Sequence, residues 1–515
     1  MSGRPEPGMS TGSAPSGDAR RKQVPAPSSD ARLKRVPARR HYHVPGESKL
    51  LGSLEEAIKA SGLKDGDTIS FHHHLREGDA VLNLVVGTIA RMGYRDIRLA
   101  PSSLNAVNDE IVPLLHEGVI TSITTSGARG ELGRAISDGT LSTPVVFRSH
   151  GGRARAIEEG SIAIDVAFLA APACDSMGNI SGSPGPSSCG SLGYAMPDAE
   201  FAACVVAVTD NLVPGILPAF SIPGHRVDFI VRTDTLGDPA KISAGATRIS
   251  RSPTDLLVAS RIATLIRSSP VYRDGFSMQF GTGGASLAVA RYLADHMRQD
   301  GVKASFVLGG ITAQAVEMLE QQMVGCIFDV QCFDATAIKS LAGNPLHREV
   351  SASHYASPNT AGALVDFLDV VVLPAMEVDA EFNVNVLTGS DGVVRGASGG
   401  HSDAACGARM TIVAGPAIRG RLPLVLDRVK TVITPGRDVA CVVTDQGIAW
   451  NPAFPRMRPP SSKGSKEIMS ITELKSRIER LTGVPASSVA TGPVVGIVEA
   501  RDGSTMDVIR RAGER

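Results

Sequence analysis

Glu377 ends an apolar run, Val365 to Met376 (VDFLDVVVLPAM), and is followed by the glycine-dense stretch Gly396-Ala397-Ser398-Gly399-Gly400. The β-branched run reads as a buried parallel strand, and open α/β sheets place ligands beyond the carboxyl ends of such strands. A carboxylate there can attack a thioester or anhydride carbonyl, the more readily when partial burial raises its pKa and strips its hydration. Glycines lack a Cβ, so the N–H groups of Gly399 and Gly400 can approach a developing oxyanion and stabilise it. Acid and oxyanion hole then share one site, and the chemistry is acyl transfer. The same pattern also suits a glutamate ending a strand at the water and glycines making turns.

Residues 396–400 also satisfy G-x-S-x-G. The serine-hydrolase elbow, however, requires a strand–Ser–helix turn with Asp and His following in order, and His401 is too near in sequence to be the distant base. Gly281-Thr282-Gly283-Gly284 lies between an expected strand and helix, a place where backbone N–H groups form an anion-binding nest. It is not a dinucleotide fingerprint, since Ser286 takes the position of the third glycine. His72-His73-His74 would put His72 and His74 on one face of a strand, but two imidazoles without a further carboxylate or thiolate do not make a metal site, so no metal is expected. Neither a Walker-type G-x-x-x-x-G-K-[ST] nor H-E-x-x-H occurs, which disfavours nucleotide hydrolysis and zinc proteolysis.

The elements that must position these groups alternate. LEEAIKASGL reads as an amphipathic helix, DTISFHHHL as a strand, AVLNLVVGTIARMG as a helix and DIRLA as a strand, with further strands at VVFRS, IDVAFLAA, ACVVAVT and RVDFIVR. Such alternation predicts a parallel α/β sheet. A second half begins near Pro253 with helix PTDLLVASRIATLIRS, strand FSMQF, the glycine loop and helix ASLAVARYLADHM. It echoes the first half faintly, and the fold class expected is α/β with two similar halves, residues 48–250 and 251–454. Residues 1–47 are rich in Pro, Ser, Gly and Arg without periodicity, and are expected to be a disordered basic tail. Residues 455–515 read as a linker followed by a helix and two short strands, a small appended cap.

At 515 residues the chain can form about two to four domains. Lys plus Arg (52) equals Asp plus Glu (52), which implies no attraction to nucleic acid or to a membrane surface. The seven cysteines are scattered, without C-x-x-C or zinc spacing, as in reduced thiols of a cytoplasmic protein. No apolar run reaches the ~18–20 residues that span a bilayer, and the N-terminus has no apolar signal core.

Several long blocks carry a family resemblance: DGDTISFHHHLREGD (65–79), IDVAFLAAPACDSMGNISG (164–182), KISAGATR (241–248), GFSMQFGTGGASLAVAR (275–291), EVDAEFNVNVLTGSDGVVRGASGGHSD (377–403) and VVTDQGIAWNP (442–452). With shorter matches at 125–130, 149–154 and 306–313, they extend from about residue 48 to the C-terminus. The chain resembles the citrate lyase α-subunit family and, more distantly, the acetyl-CoA hydrolase and CoA-transferase superfamily.

The resemblance implies two CoA-transferase-like halves with the site between them. It implies exchange of acyl groups on a carrier thioester: citrate and acetyl-carrier give citryl-carrier and acetate. The thioester would be acyl-CoA or the phosphoribosyl-dephospho-CoA arm of a γ acyl carrier protein, not covalently owned by this chain, and a β subunit would cleave the citryl thioester. Gly281, Gly283 and Gly284 match a superfamily loop facing the thioester. Glu377, in an A-M-E-V-D context, matches a glutamate that forms a covalent glutamyl thioester in distant members, whereas the citrate lyase type is expected to react through a ternary complex. Citrate, trianionic near neutral pH, calls for cations, for which Arg395, Arg153 and Arg129, each beside glycine, are candidates. Citramalate in place of citrate, a generic CoA-transferase or hydrolase, and a carrier-docking scaffold without turnover are the alternatives.

Overall fold

The computed structural model describes residues 41, 44, 46–243, 250–460, 468–483 and 491–511. Most of the expected N-terminal tail therefore lies outside the described residues, as does most of the linker after residue 460.

Two large, mostly parallel sheets organise the chain. The first runs in the order Leu50–Leu51, Phe229–Arg232, Cys204–Thr209, Val166–Ala170, Thr68–Ser70, Ile97–Leu99, Ile120–Thr125, Val145–Arg148, Val494–Glu499, Thr505–Arg510. The second runs His347–Glu349, Val324–Cys332, Ala304–Ile311, Phe276–Phe280, Val370–Pro374, Met410–Ala414, Cys441–Thr444, Gly447–Trp450, Ile468–Met469. Their central strands are covered on both faces: every residue of Val166–Ala170 and of Phe276–Phe280 is buried, as continuous apolar runs in parallel sheets require.

Helices cover the faces and are bounded by local chemistry. Ser53 caps Leu54–Ala60 by accepting from the Glu56 N–H, Pro253 opens Pro253–Arg267, and Gly301, at φ +68°, ends Gly284–Asp300. Among the described residues no helix is long and apolar enough to cross a membrane.

The resemblance between the halves, faint in sequence, is plain in hydrogen bonds. Each half carries a small three-stranded sheet, Leu212–Val213 with Ala173–Asp175 and Ile180–Ser181 in one, Val384–Asn385 with Glu377–Asp379 and Val425–Leu426 in the other. In the first, Asp175 Oδ1 accepts from the N–H groups of Met177 and Asn179, and Asn179 Oδ1 accepts from Gly224 N–H at 2.7 Å. In the second, Asp379 Oδ1 accepts from Glu381 and Asn383, and Asn383 Oδ1 accepts from Gly436 N–H at 2.9 Å.

Three expectations change. Val365–Met376 is not one strand: a 3-10 turn at Leu364–Phe367 precedes strand Val370–Pro374, and Glu377 opens a separate strand. Pro374 has no N–H to continue the ladder, and Met376 N–H instead turns to the Asn385 carbonyl at 2.9 Å. The histidine triplet lies beyond its strand, which ends at Ser70. The strands of the C-terminal segment, on either side of helix Ile471–Thr482, are built into both large sheets: Ile468–Met469 pairs with Gly447–Trp450, and the hairpin Val494–Arg510 extends the first sheet beside Val145–Arg148.

Candidate active site

A cavity of about 350 Å³ opens between the two halves. Its walls come from turns at the carboxyl ends of strands in both sheets: His73 after Thr68–Ser70, Ser126 after Ile120–Thr125 and His150 after Val145–Arg148 from the first, Gly281 after Phe276–Phe280 and Pro374 from the second. This is where parallel sheets present ligand sites.

Gly399 and Gly400 line the cavity. Gly399 adopts φ +52°, a left-handed conformation suited to glycine. Its carbonyl accepts from the backbone N–H of His150 at 2.9 Å, a bond that crosses between the halves. Among the described residues neither the Gly399 nor the Gly400 N–H has an acceptor. The loop is tied to the first half a second time through buried Asp403, which accepts from Ser149 Oγ–H at 2.6 Å and from Gly151 N–H at 2.8 Å. Burial raises the Asp403 pKa to about 6, opposed by Arg501 and by these hydrogen bonds.

Ser398 is no nucleophile: its buried hydroxyl is held against the carbonyls of Ser126 and Arg148, while His401 Nε2–H donates to the Pro374 carbonyl and Nδ1 faces Thr434 Oγ1.

Arg129 reaches the cavity, its Nη1 donating to Asn105 Oδ1 at 3.1 Å. Arg395 stands at the cavity edge, paired with Asp391 at 2.6 Å. Arg153 does not line the cavity: its guanidinium is buried against Asp198 (2.8 and 2.9 Å) and donates to the Ala100 carbonyl, so it is a structural ion pair rather than a substrate ligand. Gly281 and Gly283 line the cavity, whereas Gly284 opens the long helix and packs against Ser250.

Glu377 is displaced from the expected shared site. It lines an adjoining cavity of about 260 Å³, which meets the first at Met376, Arg395 and Arg419. Its Oε2 accepts from Asn385 Nδ2 (2.9 Å) and Lys430 N–H (3.1 Å), while the buried Oε1 has no partner. The two-residue break after Pro374 carries it past the strand end and into this second chamber.

The residues that sequence reasoning passed over are aromatic and amide groups. His73, His150 and Tyr194 stack on one another, with ring centroids 4.1–5.5 Å apart. Burial and then the Arg153 charge lower the His150 pKa to about 3, and its Nδ1 has no partner. Gln279 donates from Nε2 to the Tyr355 hydroxyl at 2.9 Å, leaving Oε1 buried and free. His72 and His74 form a hydrogen-bonded chain behind this wall. His72 Nε2 donates to the Ala170 carbonyl, so its Nδ1 accepts from His74 Nδ1–H at 2.8 Å, and His74 Nε2 accepts from the Tyr194 N–H at 3.4 Å. Both rings are neutral, since burial lowers their pKa values. Among the described residues no group of three or more His, Cys, Asp or Glu converges on a metal position. A signal for the aromatic wall did exist in sequence, because the triplet follows a strand and leads to Arg76.

The family model described as citrate lyase, alpha subunit (CitF), matches residues 47–512. The chain belongs to the citrate lyase α-subunit family. A citrate lyase α chain of Klebsiella pneumoniae is 50% identical over 465 residues, 90% of this chain and 92% of that one. A solved α subunit of citrate lyase from Streptococcus mutans, in complex with citrate, shares 49% identity with a TM-score of 0.89, covering 93% of this chain and 94% of that one. A 4-hydroxybutyrate CoA-transferase from Porphyromonas gingivalis shares 17% identity with a TM-score of 0.53 over 83% of this chain and 93% of its own, a likeness of fold alone. The CoA-transferase-like layout expected for this family member is therefore the one it has.

Proposed function

We propose that the chain transfers a carrier thioester from acetate to citrate: citrate and acetyl thioester give citryl thioester and acetate. What carries this reading, within the family, is the Gly399–Gly400 segment, which lines a cavity together with Arg129 and His150 and whose N–H groups have no acceptor among the described residues.

A citrate carboxylate adds to the acetyl thioester carbonyl, forming a C–O bond. Collapse breaks the C–S bond and gives a mixed anhydride and a thiolate. The thiolate then adds to the citryl carbonyl, and acetate leaves with the electrons of the C–O bond, so no net proton moves. Both additions build an oxyanion, for which each Gly399 or Gly400 donor contributes about 3–4 kcal/mol. Holding the three groups in one water-poor cavity supplies the remaining advantage. Neutral His150 and His73 can donate or accept hydrogen bonds without adding a charge.

The thioester belongs to acyl-CoA or to the phosphoribosyl-dephospho-CoA arm of a γ carrier subunit, with the cavity-facing Gly281 and Gly283 against it, and a β subunit consumes the citryl product. The partners meet in the cytoplasm, where the seven cysteines, none of them in a disulfide, stay reduced.

One observation favours a second route. The free Glu377 Oε1 fits attack on the thioester from the adjoining chamber, giving an acetyl-glutamyl anhydride and a thiolate; the thiolate then adds to the glutamyl carbonyl, forming the glutamyl thioester and releasing acetate in a ping-pong sequence. Mass spectrometry of thioesters after mixing the chain with acetyl-CoA, as carrier surrogate, and citrate tests the reaction, with citryl-CoA and acetate as the expected products. Hydrolysis to free CoA alone, with both CoA and the carrier-bound thioester as donors, would overturn it. Borohydride trapping separates the routes: reduction of Glu377 marks the covalent one, and full turnover by Glu377→Gln marks the ternary complex.

A further inference from the structure

Resting on that exchange reading, we propose that Arg76 and Arg129 form a two-guanidinium subsite for the carboxylates of the polycarboxylate substrate that do not react. Both side chains line the main cavity with Ser103 and Asn105 beside them. Among the described residues neither lies within 4.0 Å of a carboxylate oxygen, although most buried or half-buried arginines of this chain, such as Arg148 and Arg153, are paired. The nearest acidic influence is Glu77, whose Oε2 already accepts from the Val107 N–H. Arg76 Nε is buried without an acceptor, and its guanidinium lies over the Phe333 ring, 5.2 Å from Cζ to centroid. Burial, and then the positive charge of Arg129, pull the Arg76 pKa down to about 10. Two cations that weaken each other beside an open cavity are a charge arrangement completed by an anion with more than one carboxylate.

The backbone makes the same point independently. Arg76 adopts φ +53°, a left-handed conformation that costs a long side chain free energy and is held against that cost at functional sites. The chain is closely confined there, since Gly78 packs against the Asp238 backbone with no space for a Cβ. The left-handed turn leaves Arg76 on the cavity wall, against the Phe333 ring.

The subsite has a consequence for direction. Citrate reaches the arginines with its spare carboxylates while one carboxylate reacts at Gly399 and Gly400. Acetate has no spare carboxylate, so nothing holds it once formed. The arginines thus separate substrate from product.

Isothermal titration calorimetry on the full chain tests this with citrate and acetate as probes and no thioester present. Arg76→Gly is the informative variant, because glycine accepts φ +53° freely and folding is preserved; Arg129→Gln is the second. Loss of a charge-assisted pair predicts citrate Kd raised about tenfold or more in each, with acetate Kd changed less than about twofold. Parallel weakening of both ligands, or an unchanged citrate Kd, would overturn the subsite. Failure of the exchange reading looks different: the unaltered chain would bind citrate selectively yet form no citryl thioester.

Discussion

Gly400 packs so closely on Tyr355 that a methyl group at its Cα would overlap the tyrosine hydroxyl. Gly399, its neighbour, has open space by comparison, with only His150 Nε2 at 3.6 Å from such a methyl. The two glycines therefore answer differently to alanine. Gly400→Ala should push the loop from Tyr355 and misplace the oxyanion donors, lowering kcat about 10²-fold. Gly399→Ala should mainly strain a left-handed residue, costing about 1 kcal/mol of stability. Steady-state kinetics beside urea unfolding of both variants separates them; equal kinetic losses would speak against the donor role.

Asp403 holds the same loop to the first half through Ser149 and Gly151. Asp403→Asn keeps the shape but weakens both bonds, so kcat should fall about tenfold while KM for citrate holds, because the residue positions the donors and does not touch substrate. A shift confined to KM would assign Asp403 to binding instead.

Arg153 belongs to a different ledger. Its removal leaves Asp198 buried and unpaired. Arg153→Ala should cost about 3–5 kcal/mol, read from urea unfolding. Citrate affinity of the folded fraction should stay unchanged, and a specific loss of citrate binding would restore Arg153 to the site.

Stability should fall on acidification from pH 7 to pH 5. Burial lowers the pKa of His72 to about 4, of His150 to about 3 and of His401 to about 4, and holds His73 and His74 low as well. Between about 4 and 6.5 the unfolded chain binds protons that the folded chain refuses, so unfolding is favoured as pH drops. Asp79, Glu349 and Asp403, raised to about 7, about 7 and about 6, oppose this by taking up protons in the folded state. Five histidines outnumber these three acids and Asp198, whose pKa burial also raises, and the urea midpoint should be lower at pH 5. A flat profile would mean that the buried rings are hydrated.

Much of this was legible in sequence because it is local. Runs such as Val166–Ala170 and Cys204–Thr209 announce parallel strands, and the glycines of 396–400 announce a loop that a backbone must approach. What escaped depends on pairing at a distance. Arg153 and Arg129 look alike beside their glycines, and only the fold puts Asp198 against one and open space against the other. Arg76 carried no helical or strand pattern to mark it, since its role comes from a left-handed turn. The repeat between the halves was faint because its common elements, Asp175 with Asn179 and Asp379 with Asn383, sit at strand ends and the turns after them, and their asparagines bond to glycines far along the chain. Glu377 was misplaced by one strand because Pro374 ends a ladder that the apolar pattern alone continues.

The hairpin Val494–Arg510 has a consequence for synthesis. Eight strands of the first sheet are made by residue 232, yet the edge beside Val145–Arg148 is covered only when residues 494–510 emerge. Arg148 then meets Glu499, 351 positions later. A nascent chain therefore leaves the ribosome with an unpaired apolar edge exposed for most of translation. Products that stop short of residue 494 keep that edge permanently, and they are the fragments that chaperones and proteases of the cell must clear.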